Sequence, residues 1–231
     1  MVDWYMVQRY AGKFAGTFIS MGDSARWDAT LYSPLREFYR NKNLAGEGVL
    51  VVGCGHGFEL PAGFRGTLID LNKEAVANAA RLHTHAEAVN ANAVELPFPD
   101  MQFDSVVLSL ILSQLQRTGV GGRKGDIRDS IAAYKEACRV LKEDGRLFAI
   151  DTISRTTTIL VNGREPFTES KKYFDIGEVI DGSRRIAKEV GRFGWVQDTP
   201  LTYVPSINAE LAPEGRTGVE YDVAIFELKR N

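Results

Sequence analysis

Three glycines at alternate positions follow an apolar run, and this spacing can do chemistry. The run Val49-Leu50-Val51-Val52 leads directly into Gly53-Cys54-Gly55-His56-Gly57. Because glycine has no Cβ, such a turn lets backbone N–H groups approach a bound ligand closely. Nicotinamide enzymes use Gly-x-Gly-x-x-Gly for this purpose, but Phe58 stands at the sixth position here. The pattern therefore predicts a ligand-binding turn of another kind, with a plain strand-to-helix turn as the alternative.

An aspartate ends the next apolar run, Thr67-Leu68-Ile69-Asp70. Ligands of open α/β sheets bind at the carboxyl ends of the strands, so we expect Asp70 at the same edge as the glycine turn. A carboxylate in that position can accept hydrogen bonds from both hydroxyls of a ribose. The alternative is that Asp70 only caps the helix that follows it.

Strand-like and helix-like segments alternate through the middle of the chain and must position these groups. A helix is predicted over 72–81, with Asn72 as its N-cap. The alternation implies right-handed crossovers and a parallel sheet covered on both faces. Continuous branched apolar runs, which are typical of buried parallel strands, predict strands at 49–52, 67–69, 103–112 and 146–151.

The clearest helical pattern lies before the last of these runs. It ends at a turn formed by Asp144-Gly145. Spacings of three and four residues place five side chains on one stripe, which we expect to face the core: Ile127, Ile131, Tyr134, Cys138 and Leu141.

The two ends of the chain differ from the middle. Residues 1–45 are rich in aromatic side chains and predict a helical lid, in which Ser33-Pro34 caps and begins a helix that runs to about Arg40. Residues 195–203 and 219–228 predict two strands joined without a helix, and therefore antiparallel. We find no repeat or linker, so a single domain over 1–231 is expected, with an α/β core at 46–231.

Composition narrows the classes of function. Lys and Arg total 28 against 30 Asp and Glu, a formal net charge of −2 that argues against a dedicated nucleic-acid binder. The two cysteines, Cys54 and Cys138, are too few for a disulfide framework or a cysteine-built zinc site, and no metal is predicted at the spaced pair His83 and His85. Met1 and its neighbours lack the features of a signal peptide, and no apolar run is long enough for a membrane span. We therefore expect a cytoplasmic protein.

Two further segments, together with the glycine turn, resemble the class I S-adenosylmethionine-dependent methyltransferases. The turn is similar to motif I of that family. Residues 92–107, which contain Leu96-Pro97-Phe98 and Phe103-Asp104, resemble its segment before the fourth strand, and 134–147 resemble its helix and turn before the fifth. The resemblance covers roughly 47–151. It implies a Rossmann-like three-layer sandwich with a seven-stranded, mostly parallel sheet whose last strand is antiparallel.

The resemblance also implies S-adenosylmethionine as cofactor and S-adenosylhomocysteine as product. The methionine end would be lined by Gly53, Cys54, Gly55 and Gly57, and the ribose would be held by Asp70. The adenine would be contacted by Leu71, Asn92 and Ala93. The sulfonium would lie over Ser109 and Leu110.

Two positions depart from the family's pattern. Val51 stands where the family usually has an acidic residue that orients the methionine moiety. Asn92 stands where an aspartate often accepts a hydrogen bond from the adenine amine, which an amide oxygen can still do. Val51 is the more consequential departure. It leaves open a non-catalytic S-adenosylmethionine-binding or scaffold protein as the alternative to an enzyme.

Methyl transfer depends chiefly on in-line placement of the acceptor and exclusion of water, so the sequence identifies no base with certainty. Asp151, at the end of the fifth strand, is the one catalytic candidate, against a solvated loop carboxylate. Acceptor contacts are expected from the lid, from 152–172 and from 205–218. An aromatic lid favours a small, partly apolar acceptor over RNA or protein. The sequence does not predict the oligomeric state.

Overall fold

The computed structural model describes residues 32–118, 127–159, 167–172, 194–197 and 216–229. Four helices and eight strands lie in these ranges. In chain order they are α1 Ser33–Asn41, β1 Val49–Val52, β2 Thr67–Asp70, α2 Lys73–Leu82, β3 Glu87–Asn90, β4 Phe103–Ser109, α3 Leu112–Thr118, α4 Ile127–Val140, β5 Leu141–Ile159, β6 Phe167–Lys172, β7 Gly194–Gln197 and β8 Arg216–Lys229.

The sheet confirms the predicted Rossmann-like architecture. Its strands lie in the order β3-β2-β1-β4-β5-β8-β7. The first five are parallel to one another, and β8 runs antiparallel between β5 and β7. From β1 the chain proceeds to β2 on one side and later to β4 on the other. This reversal makes the carboxyl end of β1 the place where ligands of such sheets bind.

The sheet has one strand more than the seven expected, because β5 continues beyond the parallel strands. Past Ile150 it runs on to Ile159 and pairs there with β6, antiparallel, from Ser154↔Lys172 to Ile159↔Phe167. The other side of β5 is taken by β8. Hence β6 lies on the side where β4 has already ended, and the hairpin extends the sheet beyond its carboxyl edge. No strand is predicted from the sequence within 152–172, so this hairpin was missed.

Two apolar clusters cover the two faces of the sheet, as alternation along β1 requires. Leu50 and Val52 belong to the cluster under α4, whereas Val49 and Val51 belong to the cluster under α1. All four β1 side chains are at most 4% exposed. Burial of an aliphatic side chain stabilises a fold by about 1.5–3 kcal/mol, so β1 is a rigid support for the turn that follows it.

The predicted α1 and α2 helices are confirmed, with one correction. Asn72 caps α2 as expected, since its Oδ1 accepts hydrogen bonds from the backbone N–H groups of Glu74 (3.0 Å) and Ala75 (3.3 Å). Ser33 does not cap α1. Tyr32 occupies the N-cap position in a helical conformation without a side-chain cap, and the proline lies in the first turn, where its missing N–H costs little.

The α4 helix is confirmed, but the stripe predicted to face the core is wrong in part. The fully buried side is rotated toward small residues, which let the helix approach the sheet closely, and Ile127, Ile131 and Cys138 lie half-buried at its border. The helix also ends at Val140, before the predicted Asp144-Gly145 turn. The buried side consists of Ser130, Ala133, Tyr134, Ala137 and Val140.

The apolar run 103–112 is split between two elements. Its strand ends at Ser109, and Leu112 already belongs to α3. The chain turns at Leu110, which has a φ of 53° although it is not glycine. A branched side chain in this conformation costs about 1–2 kcal/mol. Neighbouring contacts maintain it, including the bond from the Leu110 N–H to the Ile150 carbonyl oxygen at 2.7 Å.

Candidate functional site

The glycine turn after β1 has glycine at its first and third positions for different structural reasons. Gly53 has a φ of 82°, and a Cβ there would lie 2.7 Å from the Ser109 carbonyl oxygen. Glycine at this position is therefore required by the approach of β4. Gly55 has a φ of 49°, but a Cβ there would meet nothing within 4 Å. The backbone at Gly55 borders open space, as a ligand-binding turn requires.

The turn and Asp70 are in direct contact, as the sequence predicted. The backbone N–H of Gly55 donates to Asp70 Oδ2 at 3.0 Å, and that of Asn72 donates to Oδ1 at 2.8 Å. Burial raises the pKa of Asp70, and these two N–H groups oppose the shift. Since Asn72 caps α2 by itself, capping does not account for Asp70. The carboxylate instead joins the ends of β1 and β2.

Leu71 follows this carboxylate as an exposed apolar side chain. It is 43% exposed, which is unusual for leucine beside a buried strand. Asn90, at the end of β3, donates from Nδ2 to the carbonyl oxygens of Asp70 (2.8 Å) and Leu71 (2.9 Å). Asn90 was not identified from the sequence. No strand is predicted from the sequence at 87–90, so nothing there marked Asn90 as the end of a strand.

The predicted adenine contacts lie in a tight turn after β3. Asn92 Oδ1 accepts a hydrogen bond from the Val94 N–H at 3.2 Å, and the Asn92 carbonyl accepts one from Glu95 at 3.1 Å. Ala93 is 6% exposed and packs in the core under α4. The Asn92 amide oxygen thus already has one donor from its own turn, and the Ala93 side chain faces the core.

A salt-bridged arginine attaches this segment to α4. Arg139 donates to the carbonyl oxygens of Leu96 (3.0 Å) and Phe98 (2.8 Å). It also pairs with the carboxylates of Glu136 and Asp100, each at 2.7 Å. The guanidinium therefore holds the backbone between β3 and β4, and with it the turn at Asn92.

The thiol of Cys54 lies away from any ligand. The side chain is fully buried in the cluster under α1. Burial raises the pKa of this thiol far above its ordinary value, and the nearby Asp70 and Glu59 carboxylates raise it further. Cys54 is therefore no nucleophile. The thiol donates to the Gly55 carbonyl oxygen at 3.5 Å. The backbone N–H groups of Cys54 and Gly53 both donate to the Ile69 carbonyl oxygen at 2.9 Å.

Ser109 adjoins a buried acid that the sequence analysis missed. Ser109 is 2% exposed, and its hydroxyl donates to Oε1 of Glu59 at 3.5 Å. Glu59 is itself only 8% exposed. Burial raises the pKa of Glu59 to about 7. Its own backbone N–H, the Ser109 hydroxyl and Arg36 oppose the shift, and the neighbouring Asp70 adds to it. The available signal was a carboxylate among apolar residues directly after the glycine turn.

His56 covers the outer side of the turn. Its Nδ1 accepts a hydrogen bond from Asn78 Nδ2 at 2.8 Å, and Arg81 in turn donates to the Asn78 side-chain oxygen. The imidazole stacks on Phe58, with ring centroids 5.6 Å apart, and Tyr32 approaches the same phenyl ring at 5.7 Å. Phe58 remains 39% exposed and gives the site an apolar border.

The two other histidines do not form a pair. His83 is buried at the end of α2, where its Nε2 donates to the Gly57 carbonyl oxygen at 2.8 Å. His85 is exposed in the following turn and does not share the buried surroundings of His83. Within the described ranges, no cluster of three or more His, Cys, Asp or Glu side chains is arranged to hold a metal ion.

The structure contradicts one of the two sequence interpretations of Asp151. It is fully buried, so the alternative of a solvated loop carboxylate is wrong. Its Oδ2 accepts a hydrogen bond from the backbone N–H of Ser113 at 2.9 Å, in the first turn of α3. A carboxylate stabilises a helix N-terminus. This contact makes Asp151 a support for α3, and its catalytic role stays a prediction.

Parts of the predicted acceptor site lie outside the described residues. These parts are 1–31 of the lid, 160–166 and most of 205–218. The described helices include none with both the length and the apolar character of a membrane span.

Comparison with known proteins finds methyltransferases. Residues 50–149 match the family model described as a methyltransferase domain, and this match confirms the resemblance. A demethylmenaquinone methyltransferase from Shouchella clausii is 26% identical over 141 residues, 61% of this chain and 51% of that protein. Another, from Listeria monocytogenes, is 36% identical over 89 residues, 38% of this chain and 32% of that protein. The chain thus spans about half, or less, of the length of these curated relatives.

Solved structures extend the likeness in fold over nearly the whole chain. A TehB-like S-adenosylmethionine-dependent methyltransferase from Corynebacterium glutamicum superimposes with a TM-score of 0.52. The match is 16% identical and covers 97% of each chain. At this identity the likeness concerns the fold alone.

Proposed function

We propose that this chain, whose residues 50–149 match the family model of a methyltransferase domain, is a class I S-adenosylmethionine-dependent methyltransferase that transfers the methyl group of its cofactor to a small-molecule acceptor. S-adenosylhomocysteine would be released. The observation that carries the proposal is the 3.0 Å bond between the Gly55 N–H and the Asp70 carboxylate at the carboxyl ends of β1 and β2. It combines open backbone with a buried acid at the point where the sheet order reverses.

The residues of this region suit an adenosyl group. A carboxylate has about four lone-pair directions, and two at Asp70 are used by backbone N–H groups. About two therefore remain for the two hydroxyls of a ribose. Leu71 offers an exposed apolar surface next to that carboxylate, as a flat base requires. Open space beside Gly55 admits the methionine end.

The sulfonium cofactor supplies an electrophilic methyl group when it is bound. The protein then has to orient the acceptor and exclude water. Ser109 and Leu110, which end β4 beside Gly53, suit the first task because their backbone is held by β1 and β5. The hairpin of β5 and β6 extends past that edge and suits the second.

A small, partly apolar acceptor is supported by two observations. Phe58 is an exposed ring at the border of the turn, next to Tyr32 at the start of the described chain. The curated relatives are demethylmenaquinone methyltransferases by name, which suggests a quinol-like ring as the first acceptor class to test.

Titration calorimetry tests the cofactor. S-adenosylmethionine and S-adenosylhomocysteine are expected to bind, and NAD is expected not to bind. Asp70→Ala should weaken both cofactors by about 1.5–3 kcal/mol, the worth of charge-assisted hydrogen bonds. Unchanged affinity in that variant would remove Asp70 from the site. No binding by the intact chain at millimolar cofactor would reject the proposal.

A non-catalytic S-adenosylmethionine-binding or scaffold protein is the second candidate. Val51 favours it, since this fully buried valine replaces the usual acidic residue. Transfer of a labelled methyl group to a metabolite extract, with demethylated quinols as a separate arm, separates the two. Binding without transfer to any acceptor in either arm would support the second candidate.

A further inference from the structure

The valine at position 51 leaves one face of β1 without an acid, but a carboxylate reaches that face from elsewhere. Val51, Val107 and Tyr39 belong to the cluster under α1, and Val51 pairs with Val107 across β1 and β4. Ser109 is two residues beyond Val107, so its side chain lies on the same face, about 7 Å nearer the carboxyl edge. Glu59 accepts a hydrogen bond from that Ser109 hydroxyl.

A second contact places Glu59 on this face as well. Tyr39 projects from α1 into the same cluster and is fully buried. Its pKa is raised by burial and, next, by the negative charge of Glu59. The carboxylate therefore lies between α1 and the end of β4. Gly53 is adjacent to the same end of β4, since a Cβ at Gly53 would lie 2.7 Å from the Ser109 carbonyl oxygen.

Without a ligand, the buried Glu59 carboxylate destabilises the folded state. Hydrogen bonds to it come from its own backbone N–H and, at 3.5 Å, from the Ser109 hydroxyl, and no ammonium or guanidinium within the described residues forms a salt bridge with it at 4 Å or less. A buried carboxylate without a cation is strongly unfavourable. Five groups face it: Asp70 from β2, Tyr39 and Arg36 from α1, Cys54 from the turn and Ser109 from β4. Of these only Arg36 is a cation, and its guanidinium donates to the Phe58 carbonyl oxygen.

We propose that Glu59 binds the α-ammonium group of the methionine moiety and so replaces the acid missing at Val51. The inference rests on the proposed function, because it requires S-adenosylmethionine in the site. An ammonium next to Glu59 would give this buried carboxylate a salt-bridged cation, which the nearby Arg36 does not provide. It would also keep the cofactor oriented from the end opposite to Asp70, which holds the ribose.

Two ligands that differ only at the methionine end test this role. S-adenosylhomocysteine carries the ammonium, whereas 5′-methylthioadenosine has the same nucleoside without the amino acid. Calorimetry with Glu59→Gln should show a loss of about 10- to 100-fold for S-adenosylhomocysteine, the range for a hydrogen bond to a charged group. Its affinity for 5′-methylthioadenosine should change less than about twofold. Asp70→Asn is the matched control and should weaken both ligands alike.

The wild-type chain provides a measurement that needs no variant. Because Glu59 titrates near pH 7 in the empty protein, the ratio of the two ligand affinities should fall as the pH is lowered from about 7 to about 5. Any titration of Asp70 affects both ligands and leaves the ratio unchanged. In Glu59→Gln the ratio should be independent of pH over that range.

The outcomes separate the two proposals. Equal losses for both ligands in Glu59→Gln, or no loss for either, overturns the role of Glu59 while cofactor binding by the wild type still stands. A wild-type affinity ratio that does not change with pH overturns it too. Failure of the wild-type chain to bind either ligand rejects the proposed function itself.

Discussion

At the scale of single residues, two glycines in the turn after β1 differ in what surrounds them, namely protein atoms for one and open space for the other. Gly53 and Gly55 both have positive φ values, but only Gly53 is crowded by protein atoms. Loss of the first glycine therefore concerns packing against β4. Loss of the second concerns the open space beside Asp70.

This difference gives a paired prediction. Gly55→Ala should destabilise the protein by about 1–2 kcal/mol, the cost of a Cβ in a left-handed conformation, and should weaken cofactor binding because the methyl group enters the open space. Gly53→Ala should destabilise it by more, since its Cβ also collides with a carbonyl oxygen. Chemical denaturation and calorimetry on both variants measure this. Gly55→Ala with unchanged cofactor affinity contradicts the ligand's position.

The raised pKa of Glu59 predicts a stability effect opposite in sign to its effect on binding. A carboxyl group whose pKa is about 7 in the folded state and 4.5 in the unfolded state destabilises the fold as the pH rises through that interval. At about 1.4 kcal/mol per pKa unit, the full effect is about 3–4 kcal/mol. Glu59→Gln should therefore be more stable than the wild type at pH 8 without ligand.

Denaturant unfolding at about pH 4.5 and pH 8 checks this. The variant and the wild type should be nearly equally stable at the lower pH, where the carboxyl group is protonated in the folded state and about half protonated in the unfolded state. A variant less stable than the wild type at pH 8 would show that Glu59 is structural. A more stable but weakly binding variant indicates a site that sacrifices stability for function.

At the scale of elements, the parallel half of the sheet follows from patterns that each strand carries alone. β1 and β2 are buried and read as continuous apolar runs, so the sequence predicted them nearly to the residue, whereas the run predicted for β4 continues three residues beyond its end at Ser109. The motif residues at their carboxyl ends could be grouped for the same reason. Asp70 met the glycine turn because adjacent parallel strands end at one edge.

What the sequence could not predict depends on contacts between elements. Five apolar residues at helical spacing marked α4, yet its buried side is set by where small residues such as Ala133 and Ala137 meet the sheet. Glu59 lies in a turn, where no periodicity indicates which way a side chain points. Its burial arises from α1 and β4, which are distant in sequence.

The contacts of Arg139, near the end of α4, predict how much the attachment of α4 to the segment between β3 and β4 contributes to stability. Arg139→Met removes the donors to the Leu96 and Phe98 carbonyls and should destabilise the protein by about 1–3 kcal/mol. Lys142→Met, which breaks the exposed pair with Asp104, is the control and should cost at most about 1 kcal/mol. Urea unfolding of the two variants compares them. Equal effects would mean that the carbonyl contacts contribute nothing beyond an exposed ion pair.

At the scale of the whole molecule, the last described strand is tied to the first described helix. Glu227 on β8 pairs with Lys42 after α1 at 3.1 Å and with Arg146 on β5 at 3.2 Å. Arg146 also donates to the Lys42 carbonyl oxygen at 2.9 Å. Three segments far apart in sequence meet at one carboxylate that is 15% exposed.

Removal of that carboxylate should loosen this junction. Glu227→Gln leaves two cations without their partner, so the expected loss of stability is about 1–3 kcal/mol at low salt. The loss should decrease as salt rises, because ions screen the interaction and the remaining repulsion. Thermal unfolding at several salt concentrations measures both. A loss that salt does not alter would indicate packing at Glu227 in place of charge.

The place of β8 in the sheet also dictates the order in which the chain can be assembled during its synthesis. This strand lies between β5 and β7, yet it follows both of them in sequence. Until residues 216–229 have left the ribosome, one long side of β5 has no hydrogen-bonding neighbour in the described sheet. The half that carries the glycine turn can form first, but the complete sheet requires the later insertion of β8. Such a late event with partners distant in sequence slows folding and favours chaperone assistance.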